Sequence, residues 1–440
     1  MSAPQRAAAI AVAVLVVVGI GVLALGAAGA IGRSPDGDSD PTDSALAVPS
    51  GSSGVVLPSA EASASPMAEE ELQAALAQIE EEVESLRGLP PADIGAPEIL
   101  TRDEAREELE ILFEEDYPPE ERERDNQVLR AFGLLTPEQD VAELQLQLIG
   151  DQVLGFYDDT EQRMVVVSDV GLDTEAKITY AHEYTHALQD AAFDLDSLDT
   201  EAVGEDDRSL ARVTLIEGDA TITMLAWAFA HLTPQELQDY VLGAEVPDTT
   251  GIPAWMVDQL AFPYETGLLW AGALAGNPLA PDFAEIDEAF AEPPDSTEQV
   301  MDETLGAWLD REEPIAVAAP DILGALGDEW SEVESTTVGQ ATIQIMLEYF
   351  GAAGSEASAA ADGWGGDRVV VAIGPDGAFA LAWQLAWDTP EDAAQFAATY
   401  EAAAGDLPFT VRLDEPDGAE VLVIHASSDD VAQRVADALD

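Results

Sequence analysis

The sequence predicts a predominantly helical α+β protein, and two kinds of pattern support this fold class. Long stretches place apolar residues three and four positions apart, the spacing of one helix face, as in Arg208–His231. Runs of β-branched and aromatic residues, which are typical of strands, occur in two separate places, at 153–167 and from Arg368 onward. We therefore expect a helical unit with a small sheet, followed by a small α+β unit.

The N-terminal segment, residues 1–33, is predicted to meet a membrane. Ala7–Ile31 is an uncharged, mostly apolar run between Arg6 and Arg33, long enough to span a bilayer. It is longer than the apolar core of a usual signal peptide, which favours an uncleaved transmembrane anchor. The small residues at 28–30 leave a cleaved signal peptide as the alternative. Both interpretations place the rest of the chain outside the cytoplasm, either anchored in the cell membrane or secreted.

Three further segments follow from composition and periodicity. Residues 34–66 are rich in Ser, Pro, Gly, Asp and Ala, which predicts a disordered linker. Residues 67–361 form the predicted helical unit, and residues 362–440 form the small α+β unit. Predicted helices of the larger unit include Leu72–Leu86, Thr101–Phe113, Glu120–Phe132, Pro137–Leu148, Arg208–His231, Asp282–Ala291 and Thr337–Phe350. Predicted strands are Val153–Tyr157 and Arg163–Val167 before the central motif, and Arg368–Ile373 and Ala378–Trp387 in a later hairpin.

The charge of the chain excludes some classes of partner. It carries 88 acidic and 16 basic residues, for a formal net charge of −72. Such a surface repels nucleic acid and anionic membrane surfaces, so we expect no nucleic-acid partner. We interpret the excess of acids as adaptation to high salt. The alternative is a GC-rich genome, which accounts for the scarcity of lysine, combined with an acidic drift of the composition. Cysteine is absent, so the chain has no disulfide and no thiolate ligand.

The residues 180–189 contain the motif on which the functional prediction depends. They include His182-Glu183-Tyr184-Thr185-His186, within a run from Thr174 to Phe193 that lacks Gly and Pro and is predicted to be helical, with Thr174 as its cap. On a helix, His182 and His186 project from one face and can share a zinc ion. Glu183 is then placed to take a proton from a zinc-bound water. The alternative is two unrelated histidines that happen to be four positions apart.

Glu217 is the candidate third ligand. It stands on the apolar face of the predicted helix Arg208–His231, where a carboxylate is costly unless it is paired or binds metal. Gly218 and Ala220 are small, and we expect them to let this helix approach the histidine helix closely. The predicted metal ligands are therefore His182, His186 and Glu217.

These residues resemble the gluzincins, the thermolysin-like class of zinc metallopeptidases with two histidines and a downstream helical glutamate. The stretches 180–189 and 216–220 also resemble a poorly characterised set of microbial metallopeptidase-like proteins. That set similarly has the stretches found here at Gly155–Asp158, Pro293–Gln299 and Gly363–Asp367. The resemblance implies a zincin-like catalytic unit, with a small sheet before the metal-binding helix, that hydrolyses peptide bonds.

The resemblance also implies roles for further residues. In gluzincins a Tyr or His often stabilises the oxyanion, and Tyr264, just before an apolar helix that reaches Ala275, is the candidate here, with His231 as the alternative. The second acid of the thermolysin pattern is replaced by Thr221. Support for a ligand histidine is therefore expected from Asp219 or Asp190.

The sequence thus predicts a zinc-dependent metallopeptidase with Glu183 as general base, acting on protein or peptide substrates. The rival hypothesis is an envelope protein whose zinc site is structural or inactive and which binds peptides without cleaving them. A structural zinc site is closed by a fourth protein ligand, whereas a catalytic site keeps a position for water.

We expect the thermal stability to rise markedly from dilute buffer to molar salt. The acids repel one another in a compact fold, and salt screens that repulsion. The measurement is the melting temperature across a potassium chloride series. A melting temperature that stays constant over this series would contradict adaptation to high salt.

Overall fold

The computed structural model describes residues 69–150, 154–158, 162–243, 248–302, 304–414 and 416–439. The predicted membrane segment (1–33) and linker (34–66) lie outside these ranges. Within them the fold is α+β and predominantly helical, which confirms the predicted fold class.

Long helices dominate the first half of the described chain. They are α1 (Glu69–Arg87), α2 (Arg102–Asp116), α3 (Pro119–Phe132), α4 (Val141–Gly150), α5 (Thr174–Phe193), α6 (Asp206–His231), α7 (Pro234–Gly243) and α8 (Ala254–Ala275). Shorter helices follow, at α9 (Ala284–Ala291), α10 (Thr297–Met301), α11 (Gly306–Leu309), α12 (Leu323–Leu326), α13 (Gly339–Tyr349), α14 (Gly354–Ala361), α15 (Pro390–Ala403) and α16 (Asp429–Leu439). The strands are β1 (Glu98–Leu100), β2 (Gly155–Asp158), β3 (Arg163–Val167), β4 (Ser331–Thr336), β5 (Trp364–Ile373), β6 (Phe379–Trp387), β7 (Thr410–Leu413) and β8 (Glu420–Ala426).

A small sheet precedes the histidine helix α5, as predicted. Its strand order is β1-β3-β2, with β2 antiparallel and β1 parallel to β3. Gly155 lies opposite Val166, and Glu98 lies opposite Val165. The sequence did not predict β1, because three residues are too few to show an alternating pattern. β2 is at one edge of this sheet, on the side of α5.

The second sheet is antiparallel throughout, in the order β4-β5-β6-β8-β7. The hairpin of β5 and β6 confirms the predicted strand pair. β4 was not predicted, and it comes from residues before the expected unit boundary at 361/362. Thr336 of β4 pairs with Val369 of β5. The sheet of the C-terminal unit therefore includes a strand from the preceding segment.

One apolar core joins the two predicted units. A cluster of buried side chains extends from α2 and α3 through α13 to β5, β6 and β8. Phe132 of α3 packs edge-on against Trp383 of β6, with ring centroids 6.2 Å apart. His425 Nδ1 lies 2.8 Å from the carbonyl oxygen of Ala131, and its Nε2 lies 2.7 Å from the hydroxyl of Tyr400. These contacts occupy both ring nitrogens and join β8 to α3 and α15.

Two helices begin elsewhere than the sequence predicts. The helix predicted from Pro137 begins at Val141, because the carboxylate of Asp140 accepts bonds from the amides of Ala142 and Glu143 and caps it there. The segment from Phe262 to Gly267 lies inside α8, not before it. Pro263 is an internal residue of this helix, where it removes only one backbone hydrogen bond.

Among the described residues, α6 is the one helix long and apolar enough to cross a bilayer. Its most apolar window is 78% buried inside the protein. This burial is what a central core helix requires, and α6 packs against α5, α8 and α10.

Helices α6 and α8 pack with their backbones in contact. A Cβ atom on Gly218 would lie 2.5 Å from the carbonyl oxygen of Gly267, and a Cβ on Gly267 would lie 2.5 Å from that of Thr214. The two backbones therefore touch. Gly218 was expected to admit the histidine helix α5, and that expectation is wrong: the glycine admits α8.

We expect Gly267→Ala to destabilise the protein by about 1–3 kcal/mol, because the added methyl group has no space between the two backbones. Gly272→Ala is the matched control on the same helix. A Cβ at Gly272 would meet nothing within 4 Å, so this variant should gain up to about 1 kcal/mol from helix propensity. Chemical denaturation measures both values. Equal effects of the two substitutions would contradict the close contact.

Candidate metal centre

The histidine helix α5 begins as a capped helix and runs without interruption to Phe193. Its N-cap is Asp173, whose carboxylate accepts the amide of Ala176 at 2.9 Å. Thr174, the predicted cap, is instead the first helical residue. Asp is a strong N-cap, and its negative charge also suits the positive end of the helix dipole. The cap fixes the start of the helix that carries His182, Glu183 and His186, all of which are buried.

The three predicted metal ligands converge. His182 Nε2 lies 3.2 Å from Glu217 Oε2, His186 Nε2 lies 3.4 Å from the same oxygen, and the two nitrogens are 3.1 Å apart. Ligand atoms about 2.0–2.1 Å from a tetrahedral zinc ion are separated from one another by about 3.3–3.4 Å. The observed spacings match one triangular face of such a tetrahedron. This group can therefore hold a metal ion.

Glu183 lies beside the ligands but does not join them. Its side chain is fully buried, and its polar contact is with the backbone of Tyr157 in strand β2. Burial raises the pKa of Glu183 to about 8, and the negative charge of Glu217 acts in the same direction. A buried carboxyl group with a raised pKa, next to a metal-binding set, can exchange a proton with a neighbouring water.

Strand β2 comes close to α5 at this point. A Cβ atom on Gly155 would lie 2.8 Å from Thr179 Cγ2 and 3.4 Å from Glu183 Cγ. Only a residue without a side chain leaves enough space here for the strand to pack against the helix. The stretch Gly155–Asp158, noted in the sequence, thus brings the edge of the small sheet next to the candidate base.

The electrostatics of the group favour a positive charge at its centre. Burial alone would raise the pKa of Glu217, but the charge of His186 and hydrogen bonds from both histidines lower it to about 2. Burial alone would lower the pKa of His186, but the charge of Glu217 raises it to about 9. Burial lowers the pKa of His182. Without a metal, the proton on His186 neutralises Glu217, and a bound cation would replace that proton.

Tyr264 reaches the centre from α8. Its hydroxyl donates a hydrogen bond to Glu217 Oε1 at 3.2 Å, and its ring centroid is 6.3 Å from that of His182. Burial, together with the charge of Glu217, raises the pKa of Tyr264 well above its usual value, so the phenol remains a donor. His231, the alternative, lies about 21 Å along α6 from Glu217. It pairs with Glu82 of α1, so it is not part of the centre.

A chain of hydrogen bonds supports the second ligand histidine. His186 Nδ1 lies 2.9 Å from Gln189 Oε1, and the amide nitrogen of Gln189 donates to Asp219 Oδ2 at 2.8 Å. Asp219 in turn accepts the Nε–H of Arg87, 2.8 Å away, from the end of α1. Asp219 therefore acts through Gln189, whereas Asp190, the other acid considered, accepts the hydroxyl of Tyr157.

Gln189 and Arg87 were not predicted from the sequence. Gln189 is three positions after His186, and this i, i+3 spacing on one helix face was a usable signal. Arg87 is 132 residues from Asp219 in sequence. Nothing in the sequence near Arg87 indicates this partner.

The two downstream stretches noted in the sequence meet away from the ligands. Thr297, in the stretch Pro293–Gln299, donates its hydroxyl and amide to Asp207 at the start of α6. Asp367, in the stretch Gly363–Asp367, accepts the amides of Val338 and Gly339. Both stretches therefore fix how α6, α10, α13 and β5 join, and they leave the metal centre to α5, α6 and α8.

Comparison with known proteins gives one match. A family model described as a domain of unknown function (DUF8575) matches residues 328–436, from just before β4 into α16. No curated protein and no solved structure matches the chain. The matched segment contains the five-stranded sheet and none of His182, His186 and Glu217.

We expect Gln189→Leu to weaken zinc binding by about 10–100-fold, the usual cost of losing a partner of a ligand histidine. Asp190→Asn, its neighbour on the same helix, should leave zinc affinity unchanged because its contact is with Tyr157. Competition with a chelator measures both dissociation constants. The reverse order of effects would mean that Asp190 supports the ligand and Gln189 does not.

Proposed function

We propose that the protein is a zinc-dependent metallopeptidase in which Glu183 acts as general base. The observation that carries this proposal is the triangle formed by His182 Nε2, His186 Nε2 and Glu217 Oε2, with sides of 3.1–3.4 Å. Two imidazole nitrogens and one carboxylate form a common ligand set of catalytic zinc. A separate carboxyl group, Glu183, stands next to them.

The residues divide the work of hydrolysis between them. When bound, zinc would supply Lewis acidity and a water of lowered pKa. The carboxylate of Glu183 would accept a proton from that water as it attacks the peptide carbonyl, and would return the proton to the departing amine. Gln189 would hold His186 in the orientation that presents Nε2. Tyr264 would orient Glu217, and we propose that its hydroxyl also stabilises the oxyanion.

The position of β2 supports a peptide as the substrate. β2 is at the edge of its sheet and passes close to Glu183 at Gly155. An extended peptide can add to such an edge through backbone hydrogen bonds, which would align one of its carbonyl groups with the metal centre. The extracytoplasmic location and the N-terminal anchor, both of which concern residues 1–33, are part of this proposal.

The rival hypothesis of a structural or inactive zinc site would need the centre to be closed by protein. Among the described residues, the group that can hold a metal has three members, His182, His186 and Glu217. The hydroxyl of Tyr264 donates its hydrogen bond to the second oxygen of Glu217, so Tyr264 does not serve as a fourth metal ligand. A position for water is what the catalytic proposal requires.

We expect Glu183→Gln to keep the fold and about one zinc ion per chain while losing several orders of magnitude in peptide turnover, because an amide cannot accept the proton. His182→Ala and Glu217→Ala should lose zinc and activity together. The measurements are metal analysis and cleavage of a broad peptide library.

Glu175→Gln on the same helix is the matched control. Its side chain lies at the surface beside Arg102, so both zinc content and turnover should stay at the parent level. Unchanged cleavage by Glu183→Gln would refute the mechanism. Full zinc occupancy in Glu217→Ala would remove Glu217 from the ligand set.

A further inference from the structure

A second site lies at the start of α6. A cavity of about 170 Å³, partly open to solvent, is lined by α3, the starts of α6 and α8, strand β4 and α13. Most of its wall is apolar, with contributions from Phe132, Leu210, Trp255 and Met346. Leu210 precedes Glu217 by seven residues, which places the cavity about 10 Å along α6 from the metal centre. No metal ligand lines the cavity.

One part of the cavity wall is strongly acidic. Asp125, Asp206 and Glu334 line it, from three different elements. Asp125 is already satisfied, since its carboxylate accepts the hydroxyl of Tyr117 and the guanidinium of Arg124. Asp206 also has Thr336 as a hydrogen-bond partner, and the charge of Arg124 acts on Glu334 as well as on Asp125. The cavity therefore combines an apolar body with three carboxylates, whose charge the single guanidinium of Arg124 offsets only in part.

Burial makes these charges costly. Burial, followed by the charge of Glu334, raises the pKa of Asp206 to about 7. Burial also raises the pKa of Glu334. A cationic ligand would offset this repulsion and gain charge-assisted hydrogen bonds to the carboxylates.

We propose that this cavity binds a small organic cation with an apolar body, a primary aromatic or branched alkyl amine, whose ammonium group lies between Asp206 and Glu334. The size fits, because a closed apolar cavity of about 150 Å³ holds a benzene ring. The amine can be a free molecule or the N-terminus of a peptide with an apolar first residue. The site is separate from the metal centre and does not depend on the proposed peptidase activity.

The test is calorimetric titration of the full chain in molar potassium chloride, where nonspecific attraction to the acidic surface is screened. The probes are 2-phenylethylamine and 3-methylbutylamine, with 2-phenylethanol as the neutral analogue and ethylamine as the cation without an apolar body. Both large amines should bind. Each comparison compound should bind about 10–100-fold more weakly, because it lacks either the charge or the buried apolar surface.

Two variants locate the binding. Glu334→Gln and Asp206→Asn should each weaken 2-phenylethylamine by about tenfold or more and leave 2-phenylethanol unchanged. Glu332→Gln is the matched control, since Glu332 is exposed on the same strand and does not line the cavity. Titration in the presence of a zinc chelator should give the same affinity, because an amine bound to the metal would be lost there.

The source of the amine is distinguished by a short peptide that begins with phenylalanine, compared with its N-acetylated form. If the free peptide binds and Glu334→Gln weakens that binding, the site takes a chain terminus. If the free peptide does not bind, the site takes free amines. Three results would overturn the proposal: no binding of either large amine, equal binding of 2-phenylethanol or ethylamine, or equal affinity in Glu334→Gln and the parent protein.

Discussion

The buried carboxylate of Glu217 sets the condition on which the metal centre depends. Burial opposes its charge, and such a group is stable only beside a positive charge or strong hydrogen-bond donors. Helix α5 brings both His182 and His186 to one oxygen of Glu217 on α6, and α8 brings Tyr264 to the other oxygen. The contact of Gly218 with α8 makes the last of these possible, because it sets the two backbones close enough for the phenol to reach the carboxylate. The buried charge of Glu217 therefore has its partners only where α5, α6 and α8 pack together.

Helix α1 belongs to the support of this centre. The hydroxyl groups of Tyr180 and Tyr184 on α5 donate to Glu80 and Glu84 of α1 at 2.5 Å and 2.7 Å. The same helix ends at Arg87, whose guanidinium pairs with Asp219, the carboxylate that holds Gln189 against His186. These bonds are on the side of α5 away from the ligands, so α1 fixes the rotation of α5 about its axis. That rotation decides whether both histidines face the metal position.

The sequence predicted the parts of the site that follow from local periodicity. The histidine pair depends only on a helical turn. The third ligand was found because a carboxylate on an apolar helix face is costly unless it is paired or binds metal. Gly218 was misread because a small residue indicates a close approach without saying which element approaches. The acidic strand β4 was missed because its pattern forms a strand only through pairing with β5, far along the chain. Contacts between distant segments are set by packing, and no single stretch of sequence contains them.

The scarcity of basic residues in this chain gives significance to the position of Arg87, which pairs with Asp219 behind the ligand histidine. With 16 basic residues against 88 acidic ones, few cations can neutralise buried carboxylates. Asp367 is held by the neutral donors of Val338, Gly339 and Trp364, which fix its position and leave its charge. Asp219 instead receives the guanidinium of Arg87. An unneutralised charge behind the ligands would stabilise a protonated histidine and disfavour the neutral imidazole that zinc requires. Arg87 offsets that charge, so the proton that His186 carries without a metal is held by Glu217, which is itself a ligand, and not by Asp219.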